Sequence, residues 1–337
     1  MARIMATLNK ELRDRVAISV SPGQYPAQLT GLSLNEYYTD VVKGTQARVA
    51  FYEHFPVDLY SLGGATSSCV AEACGNEVEF PEAPPKKRIL ADKSNLAQLN
   101  LPDPKRDKRL PFVLELYQRV SSQLRGTLVR AQVCWPWTLA GQLRGIQELI
   151  YDTADDPGFV HDLMRYCTDC TMLIASAVDK VLTKEVGLNF TDPSAGCSVI
   201  SPKIYREFVR PYHQEIMSYW QGKGRTLSLH ICGDIDPIIE DLVSLGFDMI
   251  DIDTPSSLAQ ALTVAKGKVA ICGNVSPVLF AQGTKEDIEE AVKGCLNIGK
   301  ARAGYILSPG CALPRDSIYE NVKHFMEAGS QYGRYNP

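Results

Sequence analysis

Thr226-Leu-Ser-Leu-His-Ile-Cys232 is a short apolar run of the kind that forms a β-strand. It is followed by Ile235-Asp-Pro-Ile-Ile-Glu-Asp-Leu-Val-Ser-Leu245, an amphipathic stretch typical of a helix, and then by Phe247-Asp-Met-Ile-Asp-Ile-Asp253, a second strand-like run. Short loops containing glycine separate the three segments. Two strands joined by a helix form a parallel unit, so this stretch predicts an α/β fold.

The same alternation runs along the whole chain. Strand-like runs are predicted at Val16–Val20, Leu59–Gly63, Thr127–Val133, Gly187–Thr191, Thr226–Cys232, Phe247–Asp253, Val269–Val275 and Tyr305–Ser308. Helices are predicted at Leu34–Phe55, Leu110–Leu124, Ala140–Asp152, Asp156–Thr183, Pro202–Gly222, Ile235–Leu245, Ser256–Ala265, Lys285–Lys300 and Ser317–Ala328.

Eight strands that are each followed by a helix predict a (β/α)₈ TIM barrel. A doubly wound open sheet is the alternative, but no glycine-rich dinucleotide fingerprint follows the first strand. We expect a single domain over residues 1–337, because this length suits one large barrel, although two ordinary domains would also fit. A proline-rich and charged excursion is predicted near residues 80–105, beside the rim of the barrel.

Composition narrows the classes of function. The formal net charge is -4 and no basic stripe occurs, which argues against a nucleic-acid partner. No apolar run approaches the ~20 residues of a membrane helix, and the N-terminus lacks a signal-peptide pattern. We therefore expect a cytoplasmic protein. Ten cysteines are many for such a protein, and a reducing, anaerobic cell would be consistent with them.

A divided set of soft ligands predicts a metal centre. His230 and Cys232 stand two positions apart in a strand, so their side chains can point to the same face. Cys311 follows the last predicted strand. An imidazole and two thiolates are typical zinc ligands, and three protein ligands leave a fourth position open for chemistry. An enzyme is therefore favoured over a scaffold that zinc merely stabilises.

Other candidate site residues follow from the barrel, because active sites of this fold lie at the C-terminal ends of the strands. Asp253 and Asn274 are candidate catalytic residues. Asp192 is a candidate substrate ligand, with capping of the next helix as its alternative role. The remaining candidate substrate-binding residues, with packing at the barrel mouth as the alternative, are Gln24, Tyr25, Gln132 and Trp135.

Several motifs resemble the uroporphyrinogen decarboxylase superfamily. The His-x-Cys pair with a late cysteine is similar to its zinc-containing methyltransferase branch, which includes methylcobamide:coenzyme M methyltransferases and methyltransferases of O-demethylases. The motifs are Pro136-Trp-Thr-Leu-Ala140, Leu143-Arg-Gly145, Asp192-Pro-Ser-Ala195, Ile200-Ser-Pro-Lys-Ile-Tyr-Arg-Glu-Phe208, Pro211-Tyr-His213, His230-Ile-Cys-Gly233, Gly273-Asn-Val-Ser-Pro277 and Pro309-Gly-Cys311.

The resemblance implies a TIM barrel, a catalytic Zn²⁺ and a methyl group exchanged with a corrinoid (cobalamin-type) cofactor on a separate protein. In the coenzyme M enzymes, a glutamate after the sixth strand can occupy the fourth zinc position. The corresponding residue here is Asp253, whose shorter side chain is a departure from that pattern. Asp253, water and the substrate itself therefore stay open as the fourth ligand.

Two further departures argue against porphyrinogen decarboxylation. The decarboxylase branch has an early arginine-rich signature, whereas this chain has Ser21-Pro-Gly-Gln-Tyr-Pro-Ala-Gln28. Its catalytic aspartate follows the second strand, whereas Tyr60-Ser-Leu-Gly-Gly64 contains no carboxylate. A substrate with eight carboxylates needs cationic side chains, so this activity is kept only as an alternative.

The sequence thus predicts a zinc-dependent, corrinoid-linked methyltransferase. Its partners would be a corrinoid protein and a small-molecule methyl donor or acceptor, and a homodimer is one option for its assembly. The aromatic residues Tyr25, Trp135 and Trp137, together with Asp253, favour O-demethylation of a methoxylated aromatic compound. The alternative reaction is methyl transfer to a thiol such as coenzyme M. The non-catalytic alternative is a barrel that only stores or senses zinc.

Overall fold

A closed, parallel eight-stranded barrel forms the centre of the molecule. The computed structural model describes residues 1–11, 14–63, 66–78 and 85–335. Each strand pairs with its neighbours in chain order, and β8 pairs with β1 to close the ring. The strands are β1 Ala17–Val20, β2 Leu59–Leu62, β3 Leu128–Cys134, β4 Gly187–Thr191, β5 Leu227–Ile231, β6 Met249–Ile252, β7 Ala270–Val275 and β8 Tyr305–Pro309.

Helices surround this barrel. In the described ranges they are α1 Ala2–Leu8, α2 Tyr25–Leu29, α3 Leu34–Thr39, α4 Val41–His54, α5 Thr66–Ala73, α6 Leu110–Gln123, α7 Pro136–Arg144, α8 Ile146–Asp155, α9 Pro157–Val181, α10 Pro202–Ile204, α11 Arg210–Trp220, α12 Ile239–Ser244, α13 Leu258–Ala265, α14 Val278–Gln282, α15 Lys285–Gly299 and α16 Tyr319–Tyr332. Short 3₁₀ turns and one π-helical turn, Tyr205–Val209, complete the connections. The predicted TIM barrel is therefore confirmed.

Two helices predicted as continuous are each divided in the structure. The predicted helix Leu34–Phe55 breaks at Asp40, whose carboxylate accepts hydrogen bonds from the backbone N–H groups of Val42 and Lys43 and so begins α4. The predicted helix Ala140–Asp152 breaks at Gly145, which has a φ of 104°. A positive φ suits glycine, and it separates α7 from α8.

The interior of the barrel changes character along its axis. At the N-terminal end of the strands, apolar side chains form a separate small core, and α1 covers this end by inserting Ile4, which is fully buried. The members of this core are Ile4, Ala17, Leu59, Leu128, Met249, Ala270, Cys272 and Ile306. Nearer the C-terminal end, strands β2 to β5 instead bury polar side chains, among them Arg130, Asn189 and Ser228.

The buried Arg225 pairs with the partly exposed Asp179 outside the N-terminal end of the barrel. Arg225 Nε donates to the Asp179 carboxylate, and its two terminal nitrogens donate to the backbone carbonyls of Asp179, Leu182, Thr183 and Val186. These carbonyls end α9 and lead into β4, so the guanidinium satisfies acceptors that the helix end leaves unpaired.

The predicted excursion is a short irregular segment that packs on the outer helices. Glu77 and Lys87 form an isolated antiparallel bridge, and 3₁₀ turns follow at Ile89–Ala91 and Lys93–Gln98. Its first part, residues 80–84, lies outside the described residues. Within the described ranges, no helix has the length and apolar character that crossing a bilayer requires.

Candidate metal centre

His230, Cys232 and Cys311 come together at the C-terminal end of the barrel, as the sequence predicted. His230 Nε2 lies 3.2 Å from Cys232 Sγ and 3.6 Å from Cys311 Sγ, and the two sulfur atoms are 3.7 Å apart. His230 belongs to β5 and Cys232 directly follows that strand, whereas Cys311 follows β8. Among the described residues, this is the group of histidine, cysteine and acidic side chains close enough to hold one metal ion.

These separations fit a tetrahedral zinc ion. Zinc–sulfur bonds of about 2.3 Å and a zinc–nitrogen bond of about 2.0 Å place two sulfurs about 3.8 Å apart and a sulfur and a nitrogen about 3.5 Å apart. The sulfur–sulfur distance of 3.7 Å and the nitrogen–sulfur distances of 3.2 and 3.6 Å are close to those values. The donor types and their spacing therefore both suit Zn²⁺.

Two glycines let the backbone carry the cysteines into this position. Gly233 has a φ of +77°, and a Cβ atom there would lie 2.6 Å from Ser198 Oγ. A Cβ atom on Gly310 would lie 2.8 Å from the backbone nitrogen of Thr254. A larger side chain at either position would therefore strain the turn or displace the adjacent cysteine, Cys232 or Cys311.

The three donors perturb one another's protonation. A hydrogen bond with Cys232, together with the adjacent His230, lowers the pKa of Cys311 to about 4. The contact with Cys311 raises the pKa of Cys232. Burial lowers the pKa of His230, but Cys311, Asp251 and Asp253 outweigh it and raise that pKa to about 9. The donors thus share protons, which a divalent cation would replace on binding.

Asp253 bonds the loop of Cys232 and, among the described residues, stands outside the donor group. Its Oδ2 accepts a hydrogen bond of 2.8 Å from the backbone nitrogen of Gly233, and its Oδ1 accepts one of 2.7 Å from Thr254. The same Oδ1 would be 3.0 Å from a Cβ atom on Gly310. Asp253 therefore anchors the residue next to Cys232 and lies close against the backbone of the residue before Cys311.

Asn274 has a similar supporting position. Its Nδ2 donates to the backbone carbonyls of Asp253, at 3.2 Å, and Ser256, at 2.8 Å. The side chain therefore fixes the loop after β6, and the amide hydrogens used in these contacts are not free to reach a substrate.

A pocket of about 250 Å³ opens over the three donors. Gln132 lines it, as the sequence predicted, and so do two groups of residues from β4 and from the segment around β8. The lining residues are Ser21, Arg130, Gln132, Asn189, Thr191, Pro193, His230, Cys232, Asp251, Ser308, Pro309, Gly310, Cys311 and Ala312. The volume admits a small molecule.

The structure gives Trp135 and Asp192 packing roles in place of the expected substrate contacts. Both side chains are completely buried behind the pocket. The ring of Trp135 lies 3.9 Å from that of His213, centroid to centroid. Asp192 accepts hydrogen bonds from the backbone nitrogen of Thr138, at 2.6 Å, and from His213 Nε2, at 2.8 Å. Its carboxylate makes no bond to the turn Pro193–Ala195 that follows it, so the expected capping of the next helix is wrong, and the amide that it does bond, that of Thr138, belongs to the first turn of α7.

Gln24 and Tyr25 also stand apart from the pocket lining. Tyr25 is buried on α2, where its ring packs edge-on against Phe51 at a centroid distance of 6.1 Å. Burial raises its pKa to about 12. Gln24 precedes this helix, and its carbonyl accepts a hydrogen bond from Ala27. The pocket is built from strand residues at this point, and Ser21 is the lining residue after β1.

Sequence reasoning missed a buried ion pair at the floor of the pocket. Arg130 of β3 donates from Nε to Ser61 Oγ at 2.7 Å and from Nη2 to the Asp251 carboxylate of β6. The signal in the sequence was a charged residue in the middle of each apolar strand, Leu128-Val-Arg130-Ala and Met249-Ile-Asp251-Ile. Asp251 also faces His230 in the pairing of β5 with β6.

A family model described as Uroporphyrinogen decarboxylase (URO-D) matches residues 1–332. The chain is 26% identical over 226 residues to the methylated-thiol--coenzyme M methyltransferase of Methanosarcina mazei, and this match covers 65% of the chain and 58% of that protein. It is also 26% identical to the methylcobamide:CoM methyltransferase MtbA of Methanosarcina acetivorans, covering 66% of the chain and 64% of the relative. These matches therefore span less than two thirds of each relative.

Relatives with the other activity are similar to the same degree. The uroporphyrinogen decarboxylase of Xanthomonas axonopodis pv. citri is 26% identical over 293 residues, covering 82% of the chain and 80% of that protein. A solved structure of a methyltransferase from Methanosarcina mazei superimposes with a TM-score of 0.85 at 21% identity and 98% coverage of both chains, which shows the shared fold. Overall identity does not separate the two activities, so the residues of the site must.

Proposed function

The chain belongs to the uroporphyrinogen decarboxylase family, and we propose that it is a zinc-dependent methyltransferase that exchanges a methyl group between a small substrate and the cobalt of a separate corrinoid protein. The observation that carries this proposal is the geometry of His230, Cys232 and Cys311, whose separations match tetrahedral zinc and which line a small pocket. The similarity to methylcobamide:CoM and methylated-thiol methyltransferases supports it.

Each residue of the site has a defined task in this proposal. His230, Cys232 and Cys311 would hold the zinc, and Asp253 fixes the backbone beside the cysteines through Gly233. Zinc, when bound, supplies a Lewis acid that lowers the pKa of a thiol or stabilises the oxygen that leaves a methyl ether. The pocket walls hold the substrate heteroatom near the donors and limit the access of water.

The proposed reaction moves one methyl group and balances in either direction. A methyl ether and a reduced corrinoid give an alcohol or phenol and a methylated corrinoid, with one proton taken up by the leaving oxygen. A thiol and a methylated corrinoid give a thioether and the reduced corrinoid, with the thiol proton released. The sequence has no Asp-x-His-x-x-Gly corrinoid motif, which supports a cobalt cofactor carried by a partner protein.

The structure does not support the expectation that the substrate is aromatic. The preference for a methoxylated aromatic compound rested partly on Tyr25, Trp135 and Trp137, and all three side chains are buried away from the pocket lining. We therefore propose that the substrate is a small methyl ether or a small thiol, without requiring an aromatic ring.

Porphyrinogen decarboxylation fits the pocket poorly. The substrate of that reaction carries eight carboxylates, whereas the described lining contains one cationic side chain that is permanently charged, Arg130, already paired with Asp251. The volume of about 250 Å³ also lies below the roughly 300–1,000 Å³ typical of sites for larger ligands.

A test in both directions distinguishes these activities. Zinc-loaded protein is mixed either with methylcobalamin and a thiol or with a reduced corrinoid protein and a methyl ether, and the cobalt absorbance is followed. Methyl transfer in one of the two assays is expected. It should fall at least ~100-fold in Cys311→Ala, because removing one donor opens the metal site, and stay unchanged in the control Cys197→Ala, whose thiol is outside the donor group. Coproporphyrinogen formation without methyl transfer would contradict the proposal.

A further inference from the structure

The floor of the pocket contains a buried donor and a buried acceptor that lack partners. Arg130 Nη1 and Asp251 Oδ1 have no hydrogen-bond partner among the described residues, although the other nitrogens and oxygen of this pair are bonded. Only 2% of the Arg130 side chain and 14% of the Asp251 side chain are exposed. Because an unpaired polar atom in a buried position is costly, such a pair needs an explanation.

The pair crosses the interior of the barrel within the pocket that the three metal donors line. Arg130 comes from β3 and Asp251 from β6, and these strands are not neighbours in the ring. Both residues line the same pocket as the three metal donors, and Asp251 is paired in register with His230. A molecule whose reacting atom lies at the donors can therefore place its other end against this ion pair within the same pocket.

The charges of Arg130 and Asp251 determine which end group of a bound molecule can lie against the pair. The guanidinium and the carboxylate neutralise each other, so a charged end group finds no net opposite charge there and loses its hydration on entering. A neutral group that both accepts and donates a hydrogen bond can satisfy Arg130 Nη1 and Asp251 Oδ1 together. Hydroxyl and primary amide groups have this property, and the side chains of Gln132 and Asn189 add further polar atoms to the same walls.

We propose that Arg130 and Asp251 form a specificity floor for a substrate that ends in a neutral hydroxyl or amide group. This inference rests on the proposed methyltransferase function and sharpens its substrate class. It predicts that a sulfonate-ended thiol such as coenzyme M is a poor partner, because no uncompensated cation among the described lining residues is available to it.

Three thiols that differ only in their distal group test the proposal by binding. The probes are 2-mercaptoethanol, 2-mercaptoethanesulfonate and 2-aminoethanethiol, each also used as its three-carbon homologue, and binding to zinc-loaded protein is measured by calorimetry. The thiol end is common to the series, so differences report on the floor. The hydroxyl compounds are expected to bind at least ~10-fold more tightly than either charged series, the gain from one good hydrogen bond to a charged group.

Variants decide whether the ion pair causes the preference. Asp251→Asn removes the negative charge and is expected to shift the preference toward the sulfonate, whereas Arg130→Gln should shift it toward the ammonium. The matched control is Asp179→Asn, which removes the acid of the remote Arg225 pair and should leave the order of binding unchanged. Circular dichroism and zinc content establish that each variant folds and loads.

Equal binding of the three end groups, tighter binding of the sulfonate by the unaltered protein, or binding of none of the thiols would overturn the specificity floor. The methyl-transfer assay is run separately with the same thiols. If methyl transfer is most efficient with the sulfonate thiol, this inference is overturned and the proposed function is supported. If the protein binds the hydroxyl thiols selectively but transfers no methyl group, the inference is supported and the proposed function is overturned.

Discussion

Two buried arginines, one at each end of the barrel, each pair with an aspartate, but only one of the two pairs has all its hydrogen bonds made within the protein. Arg225 at the N-terminal end uses every nitrogen of its guanidinium, against Asp179 and four backbone carbonyls. Arg130 at the C-terminal end keeps one nitrogen unpaired, and Asp251 keeps one oxygen unpaired. The first pair joins a helix end to a strand, whereas the second faces a pocket.

The difference teaches where to look for function in a barrel of this kind. The Arg225 guanidinium has all its nitrogens bonded within the protein, which serves stability, whereas the Arg130–Asp251 pair at the C-terminal end leaves hydrogen-bonding capacity that another molecule can complete. Burial of a charged group alone does not mark a site, because both arginines are buried. The unused bonding capacity next to a cavity marks it.

The largest effect on stability is expected from Arg225→Met. Removing the guanidinium leaves the buried carbonyls of Leu182 and Val186 without a donor, at about 1–3 kcal/mol for each, so the free energy of unfolding should fall by about 3–5 kcal/mol. Urea denaturation measures this loss, and zinc stoichiometry in the folded variant should be unchanged. A loss below about 1 kcal/mol would show that the pair at the N-terminal end is not the structural one.

The double substitution Arg130→Met with Asp251→Leu should change the free energy of unfolding in the opposite direction to Arg225→Met. Replacing an incomplete buried ion pair by apolar side chains of similar size removes two unpaired atoms, so the free energy of unfolding should stay the same or rise by about 1–4 kcal/mol. The same denaturation experiment checks it. A destabilisation as large as that of Arg225→Met would make the two ends equivalent and break the comparison.

A smaller effect is expected on zinc affinity when Asp253 is substituted. Asp253 and Asp248 each accept a backbone hydrogen bond, one just after β5 and the other at its start. Asp253 accepts a hydrogen bond from Gly233 at 2.8 Å, and Asp248 accepts one from Leu227 at 2.8 Å. Asp253→Asn should weaken zinc binding about 10–100-fold, because residues that hold metal ligands tune their affinity. Asp248→Asn, the matched control, should leave zinc affinity unchanged.

Competition with a metallochromic chelator measures both affinities. The visible spectrum of the cobalt(II)-substituted Asp253→Asn protein should retain the thiolate bands of a tetrahedral site, since the three donors remain. A changed coordination spectrum would instead mean that Asp253 binds the metal directly, and the anchoring role assigned to it would be wrong.

The smallest expected effect is a dependence of stability on pH from His213. Complete burial lowers the pKa of His213 below its usual 6.5, against the opposing hydrogen bond with Asp192. As the pH falls below about 6.5, His213 takes up a proton in the unfolded chain but not in the folded one. The folded state is therefore favoured less as the pH falls through this range, and the full stability is kept above it. Between pH 7 and pH 5, the free energy of unfolding should decline more steeply in the unaltered protein than in His213→Gln. Parallel declines would exclude this histidine as the source.

The strands and the metal ligands were predictable because both are local signals. Gly187–Thr191 was predicted with the bounds that the structure shows, and the other strands differ by a few residues at their ends. His230 and Cys232 are two positions apart in one strand, so their convergence required only strand geometry. Cys311 could be added because the ends of all barrel strands meet at one rim.

The floor of the pocket could not be predicted in the same way. The contact between Arg130 and Asp251 joins residues 121 positions apart across the barrel, and it depends on how far each inward side chain reaches. Trp135 was misplaced for a related reason, since a residue that follows a strand can point into the pocket or behind it. Gly145 and Asp40 divided two predicted helices because a positive φ and a side-chain cap outweighed a continuous apolar pattern.

X-ray absorption at the zinc edge tests the metal centre most directly. The zinc-loaded protein should show two sulfur ligands at about 2.3 Å and a nitrogen ligand at about 2.0 Å, together with one further light atom. In Cys311→Ala, one sulfur should be lost from the first shell, and in Cys197→Ala none. A first shell made of oxygen and nitrogen alone, or a spectrum that Cys311→Ala leaves unchanged, would contradict the assignment of His230, Cys232 and Cys311 as the zinc site.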